Sequence, residues 1–516
     1  MRNYRSLYEM LLFPISVLYF ATFLLGLGNI ITNETFSYII NIDNDFVELA
    51  ADCMSRIGSF LIVQFPLIFL FRLSARKAGS ATTMISALSG YVAYLVVTMY
   101  FGNPDLPASA YSSILGLSIT TAGSATVRSG VHYPLQTGIV ATAVVAIITL
   151  TSYNRSRTRS EYSFFSFISR DTWCVIRTVV LSSIAAVAVT MLWPYVVNAI
   201  TKAIEYISGD TTNPMNLILY GVLERILNVL NLGTMIRQPF WYGANGGTWI
   251  SMAGANIAGD VNIWTAQYEA ASLSGMSGRF ITPYYVINLF AVPGLLLAFQ
   301  TLQTDRLERR RMRMFYIVVA IISIFSGSLL PLEIMLLLLC PLLYLFHILY
   351  MGLLFGVFHA MHIYLGYSYH GTSTLTAMPG TLLEYLSYFQ NSAMRNTLLQ
   401  IAVVGLISFV VYFLMTRFYF MNLALDLFHT GYKDEVIQGT INAIGGIENI
   451  KNIHSGTERL IISLYDADKL NVQKLRNLGA VRVMDTKAGY AIGYGSRSTM
   501  IRIGITNTLK QSVRSI

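Results

Sequence analysis

The stretch LLFPISVLYFATFLLGLGNIIT, residues 11–32, decides the architecture. It carries no charge, and at about 1.5 Å of helical rise per residue it reaches across a hydrocarbon core about 30 Å thick. No small-residue cleavage site follows it, so it reads as a retained span rather than a removed leader. Comparable apolar stretches recur near 57–71, 82–101, 134–153, 175–198, 283–303, 314–330, 332–358 and 400–418, giving nine. Whole-chain composition agrees with this reading. Of 516 residues, 54% are apolar and 12% charged, about half the charge of an average soluble domain. That is too little polar surface for a water-soluble globule and too much apolar surface for a disordered chain. The sequence describes a polytopic α-helical membrane protein.

Charge then orients the spans. Arg2 and Arg5 precede the first, whereas the loop behind it holds Glu34, Asp43, Asp45, Glu48 and Asp52. Basic residues cluster again at Arg72, Arg76 and Lys77, at Arg155, Arg157, Arg159 and Arg170, and through residues 306–313. By the positive-inside rule these loops and the N-terminus are expected in the cytoplasm, with the 306–313 run anchoring topology at the lipid bilayer. The excess of 35 Lys and Arg over 26 Asp and Glu has the same origin, so no nucleic-acid partner is expected. Nine crossings from a cytoplasmic start would leave the C-terminus outside, so an inside tail needs about ten. Residues 199–280 and 359–399 are apolar but broken by Gly, Pro, Asn and Ser. Irregular backbone at membrane depth is tolerated only beside protein or a water-filled cavity, so a translocation site is expected there, with re-entrant segments.

Composition changes near Lys433, where the last 84 residues hold 12 Lys and Arg against 7 Asp and Glu and no spanning run. An amphipathic helix is expected over 434–444, with Ile437, Ile441 and Ile444 on one face and Gly445-Gly446 ending it. Strands are expected over 459–466, 481–485 and 490–494, a second helix over 470–478, and a turn at 487–489. The division expected is a membrane-embedded region over 1–420, a linker over 421–432, a small α/β domain over 433–500 and a tail over 501–516. Three cysteines, Cys53, Cys174 and Cys340, cannot build a disulfide framework.

Several signatures then fall into a familiar order. Ile447-Glu448-Asn449-Ile450-Lys451-Asn452-Ile453, Thr457-Glu458-Arg459-Leu460, Leu478-Gly479-Ala480 and Ile492-Gly493 resemble the B domain of a bacterial phosphotransferase system enzyme II of the glucose/maltose (glucose-glucoside) type. Upstream, Leu11 to Leu18, Pro239-Phe240-Trp241, Gly259-Asp260-Val261-Asn262, Ser277-Gly278-Arg279-Phe280, Tyr344, His347, Gly352 and His370-Gly371-Thr372 resemble its membrane-embedded C domain. The resemblance implies a homodimeric sugar permease of the bacterial cytoplasmic (inner) membrane. It would have about ten spans, with its N-terminus and C-terminal B domain in the cytoplasm. It would phosphorylate sugar from a cysteine phosphate loaded by an enzyme IIA partner.

The reactive positions depart from that pattern. A thiolate suits phosphoryl relay because it attacks phosphohistidine readily and leaves readily. In the family's frame the cysteine position is Gly456; Arg459 is kept, and Ile461 replaces a second arginine. Where the family has Asn-Arg, a short apolar stretch and Leu-His-His ahead of Pro-Phe-Trp, this chain has Glu224-Arg225 and, at the histidines, Gly233 and Thr234. The family's sugar-contacting Thr-Glu pair is Leu329-Leu330, although Glu333 is kept. Buried sugar hydroxyls need partners that leucine cannot supply. Arg225 and Glu333 are the retained ionisable candidates, with structural pairing the alternative role. His359 and His362 share a helical face but have no converging ligands, so no metal or cofactor is expected. The expectation is a permease homologue without phosphotransfer, acting as a sugar sensor or regulator with a cytoplasmic partner at its B-like domain. The rival readings are a transporter working without phosphorylation or with a donor B domain in trans, and a modulatory subunit of an intact permease dimer.

Overall fold

The computed structural model describes residues 2–32, 44–75, 81–121, 130–158, 168–252, 254–273, 275–367, 379–423, 433–486 and 489–514. Glu34, Asp43, Arg76, Lys77, Arg159, His370-Gly371-Thr372, residues 424–432 of the expected linker and Lys487 of the expected turn lie outside them. The chain divides into two compact units, one of residues 1–12, 284–347 and 380–516, the other of 13–283 and 348–379.

In the second unit, the helices Ala81–Phe101, Ile139–Arg157 and Arg170–Gly209 pack together. Their core holds Ala87, Tyr91, Tyr94, Val145 and Ala186. Small residues bring the backbones close, as membrane helices require without a strong hydrophobic drive between them. A side chain at Gly28 would strike Ala51 and Ser55, and one at Gly58 would strike Ala21 and Leu25, so the first two helices cross through reciprocal glycines. The Arg170–Gly209 helix has 40 residues and is about 60 Å long, well beyond the expected 175–198 span. Asp45, Glu48 and Asp52, expected in a loop, lie on the helix Asp45–Val63, because Asn44 caps it by accepting from Phe46 N–H and Val47 N–H.

Among the described residues seven helices are long and apolar enough to span a membrane. The pair Asp45–Val63 and Phe65–Ser74, bent by 56°, makes an eighth if read as one broken span. The 332–358 stretch, expected as one span, is two helices, Leu330–Leu339 and Pro341–Ala360. They part at Cys340 (φ −138°, ψ 66°), because Pro341 offers no N–H and disfavours helical backbone in the residue before it.

In the first unit, the helix Thr282–Leu302 contains a π-turn at Ile287–Ala291. There Asn288 donates through Nδ2 to Gly327 O (3.1 Å), and its own carbonyl accepts from Ser323 Oγ (3.3 Å). Gly294 and Gly405 let this helix approach Arg395–Phe418 closely. The same unit contains the C-terminal α/β region. Four antiparallel strands, β1 (Ile450–Ser455), β2 (Arg459–Leu464), β3 (Val483–Thr486) and β4 (Gly489–Gly493), run in the order β1-β2-β4-β3. Ile437, Ile441 and Ile444 point into its core from the helix Lys433–Ala443 and beyond. The segment expected as a tail belongs to the helix Ser498–Arg514, which adds Ile501 and Ile505 to that core.

Candidate functional site

The helix Pro214–Val229 starts on an Asn213 cap and carries Glu224 and Arg225 inward, both fully buried. Arg225 Nε donates to the Glu224 carboxylate, and Arg237 Nε lies 3.6 Å from the other oxygen of the same group. Arg237 also donates to Asn228 Oδ1 (3.0 Å) and sits over the Trp241 ring. One carboxylate therefore faces two guanidinium groups in a water-poor site, where pairing is far stronger than at a surface.

Gly233 and Thr234 open the next helix, Gly233–Trp241. A side chain added at Gly233 would run into the Arg237 guanidinium, four residues on and one turn along the same face. The volume that a histidine would need at 233 is thus filled by Arg237. Thr234 exchanges hydrogen bonds with Gln136 (2.6 and 3.0 Å), so the second substituted position is also locked. Gly233→His is expected to cost about 1–3 kcal/mol of stability through overpacking. Adding Arg237→Ala should make the pair cost less than the two substitutions summed, as read by unfolding midpoints in detergent.

The motifs around Asp260 and Gly278 clamp one another in the second unit. Asp260 accepts from Gly278 N–H (3.0 Å) and Phe280 N–H (3.4 Å) through its two oxygens. Arg279 donates to Gly246 O (2.8 Å), and positive φ at Gly259 (95°) and Gly278 (92°) allows both tight entries. Elsewhere in that unit a cavity of about 590 Å³ is lined by Tyr100, Tyr111, Ser112, His132 and Tyr133, outside every position singled out in sequence.

In the first unit, Glu333 and His347 are buried and meet: His347 Nε2 lies 3.3 Å from Glu333 Oε1, and Nδ1 lies 2.9 Å from Tyr412 Oη. Its two ring nitrogens thus face a carboxylate and a phenol. Leu329 and Leu330 are buried at the start of Glu333's helix and offer no polar atom beyond backbone. Gly456 lies in the buried turn between β1 and β2, Arg459 opens β2 with an exposed side chain, and Gly456 N–H donates to Arg459 O (2.8 Å).

No protein-family model matches the chain. Over 512 residues it is 24% identical to the PTS system glucoside-specific EIICBA component of Staphylococcus carnosus (strain TM300), covering 95% of this chain and 71% of that protein. The chain resembles the glucoside-type permeases of the phosphotransferase system over nearly its whole length. A solved structure, the IIC transporter component of the N,N'-diacetylchitobiose-specific phosphotransferase system, covers 81% of this chain and 94% of its own at 12% identity, with a TM-score of 0.33. That score decides nothing further. Arg225, Gly233 and Thr234 fall together within the second unit; within the first, Glu333 follows Leu329 and Leu330 at the start of one helix, and Gly456 and Arg459 share a turn of the sheet. Sequence reasoning missed Arg237, Gln136 and Tyr412. The four-residue spacing of Arg237 from Gly233 was the one available signal.

Proposed function

We propose that this permease homologue has lost phosphotransfer and serves as a membrane sugar sensor or regulator. Glycine at position 456 carries the reading, since no atom of its side chain can accept a phosphoryl group. Two features support it: Glu224 pairs with Arg225, the guanidinium retained from the family, and Arg237 fills the space of a lost histidine. On this reading the protein sits in the bacterial cytoplasmic membrane as a homodimer, with its N-terminus and B-like region in the cytoplasm. That region meets an enzyme IIA or another cytoplasmic regulator.

Supplied with phosphohistidine donor proteins and labelled phosphoryl groups, the purified full chain should acquire no label above that of a Ser455→Ala/Thr457→Ala variant. Label retained specifically on residues 454–457 would overturn the reading. A second reading, transport without phosphorylation, is favoured by the buried Glu333–His347–Tyr412 chain, since intramembrane ionisable groups often line transport paths. Robust uptake of labelled glucosides into vesicles holding this chain alone, with sugar recovered unmodified, would select it.

A further inference from the structure

Gly456 has a φ outside the left-handed region, so its backbone alone does not require glycine. Space does. A β-carbon there would fall inside contact distance of Gln303 Oε1, Cδ and Nε2. Gln303 follows the helix Thr282–Leu302, is 4% exposed, and is held from two sides. Its Nε2 donates to Tyr316 Oη (3.3 Å), and its backbone carbonyl accepts from Arg309 Nε (2.8 Å). It can swing aside only by giving up the Tyr316 bond.

The next residue makes the contact specific. Thr304 N–H and Thr304 Oγ1 both donate to Ser455 O (3.0 Å each), and Ser455 N–H donates back to Thr304 Oγ1 (2.7 Å). Two further bonds brace the turn from behind, Arg502 Nε to Ser455 Oγ (3.0 Å) and Thr499 Oγ1 to Gly456 O (3.3 Å). The helix supplying them, Ser498–Arg514, also packs on Tyr419–Leu423 at the end of the last span. Three hydrogen bonds between residues 304 and 455 demand that the turn lie flush, and a side chain at 456 would have to push the Gln303 carboxamide off Tyr316 to let it.

We infer that Gly456 is the packing element of a latch that fastens the C-terminal α/β region to the end of the Thr282–Leu302 helix. The region is then a fixed part of its unit rather than a carrier that cycles between a phosphoryl donor and an acceptor. Loss of the nucleophile and gain of the latch are one substitution. The inference concerns docking and stands apart from what the protein senses.

The test uses the full chain with a protease site placed within 424–432 and Thr304 and Ser455 left intact. After cleavage in detergent, the two fragments should elute together. Gly456→Leu should lower the co-eluting fraction about tenfold by overpacking the interface. Gln303→Ala added to Gly456→Leu should restore it, which a variant that merely unfolds the region cannot do. Separation of the parent fragments, co-elution unchanged by Gly456→Leu, or no restoration by Gln303→Ala would each overturn the latch. None of these outcomes bears on labelling at 454–457, so the two ideas fail separately.

Discussion

Glu224→Ala is expected to lower stability by about 3–5 kcal/mol, the usual cost of breaking a buried charge pair from one side. Its carboxylate is fully buried and faces both Arg225 Nε and Arg237 Nε. Removing it leaves two cations close together with less to offset them, in surroundings that screen poorly. Glu224→Asn, the family residue, keeps a polar acceptor without the charge and should fall between alanine and the parent. Unfolding midpoints of the detergent-solubilised protein provide the measurement. A loss below about 1 kcal/mol for alanine would show that the two guanidinium groups draw their compensation from elsewhere.

Asp260→Ala should be nearly as costly and should also change how the protein responds to pH. Two buried backbone donors, at Gly278 and Phe280, lose their acceptor, at about 1–3 kcal/mol each. Burial pushes the Asp260 carboxyl from 3.8 up to about 7, against the lowering effects of Arg279 and the two donors. It lies outside the apolar spans. Because the folded state raises this pKa, the protonated form is the one that folding favours. The resulting contribution is complete below about pH 3.8 and is lost as pH rises through about 7. Unfolding midpoints should therefore fall from about pH 4 to about pH 7 and level off above it, and Asp260→Asn should flatten that slope. An identical slope in the asparagine variant would assign the pH response to another group.

What the sequence revealed depended on whether a feature was local. The helix face of Ile437, Ile441 and Ile444, its stop at Gly445-Gly446 and the strand pattern after Arg459 are written in spacings of a few residues, and each is present. The break at Cys340 was harder to see, because hydropathy runs unchanged across it and only Pro341 marks it. Glu333 was legible as a charge out of place in an apolar run and His347 as a match to the family's order, while Tyr412 looked like any other span aromatic. The bonds between Thr304 and Ser455 join residues 151 positions apart, and no periodicity predicts such a pair. Position 456 illustrates the limit well. Its frame exposed a missing nucleophile, while the packing of Gln303 against the same position is visible only in the folded chain.

The π-turn at Ile287–Ala291 gives the helix ending at Leu302 a property that a regular helix lacks. One surplus residue is wound into that turn. Pro293, five residues beyond Asn288, has no N–H to give the Asn288 carbonyl, and Ser323 Oγ supplies a donor from a neighbouring helix instead. The irregular turn is therefore pinned from outside its own helix, and the pin at that carbonyl is a hydroxyl.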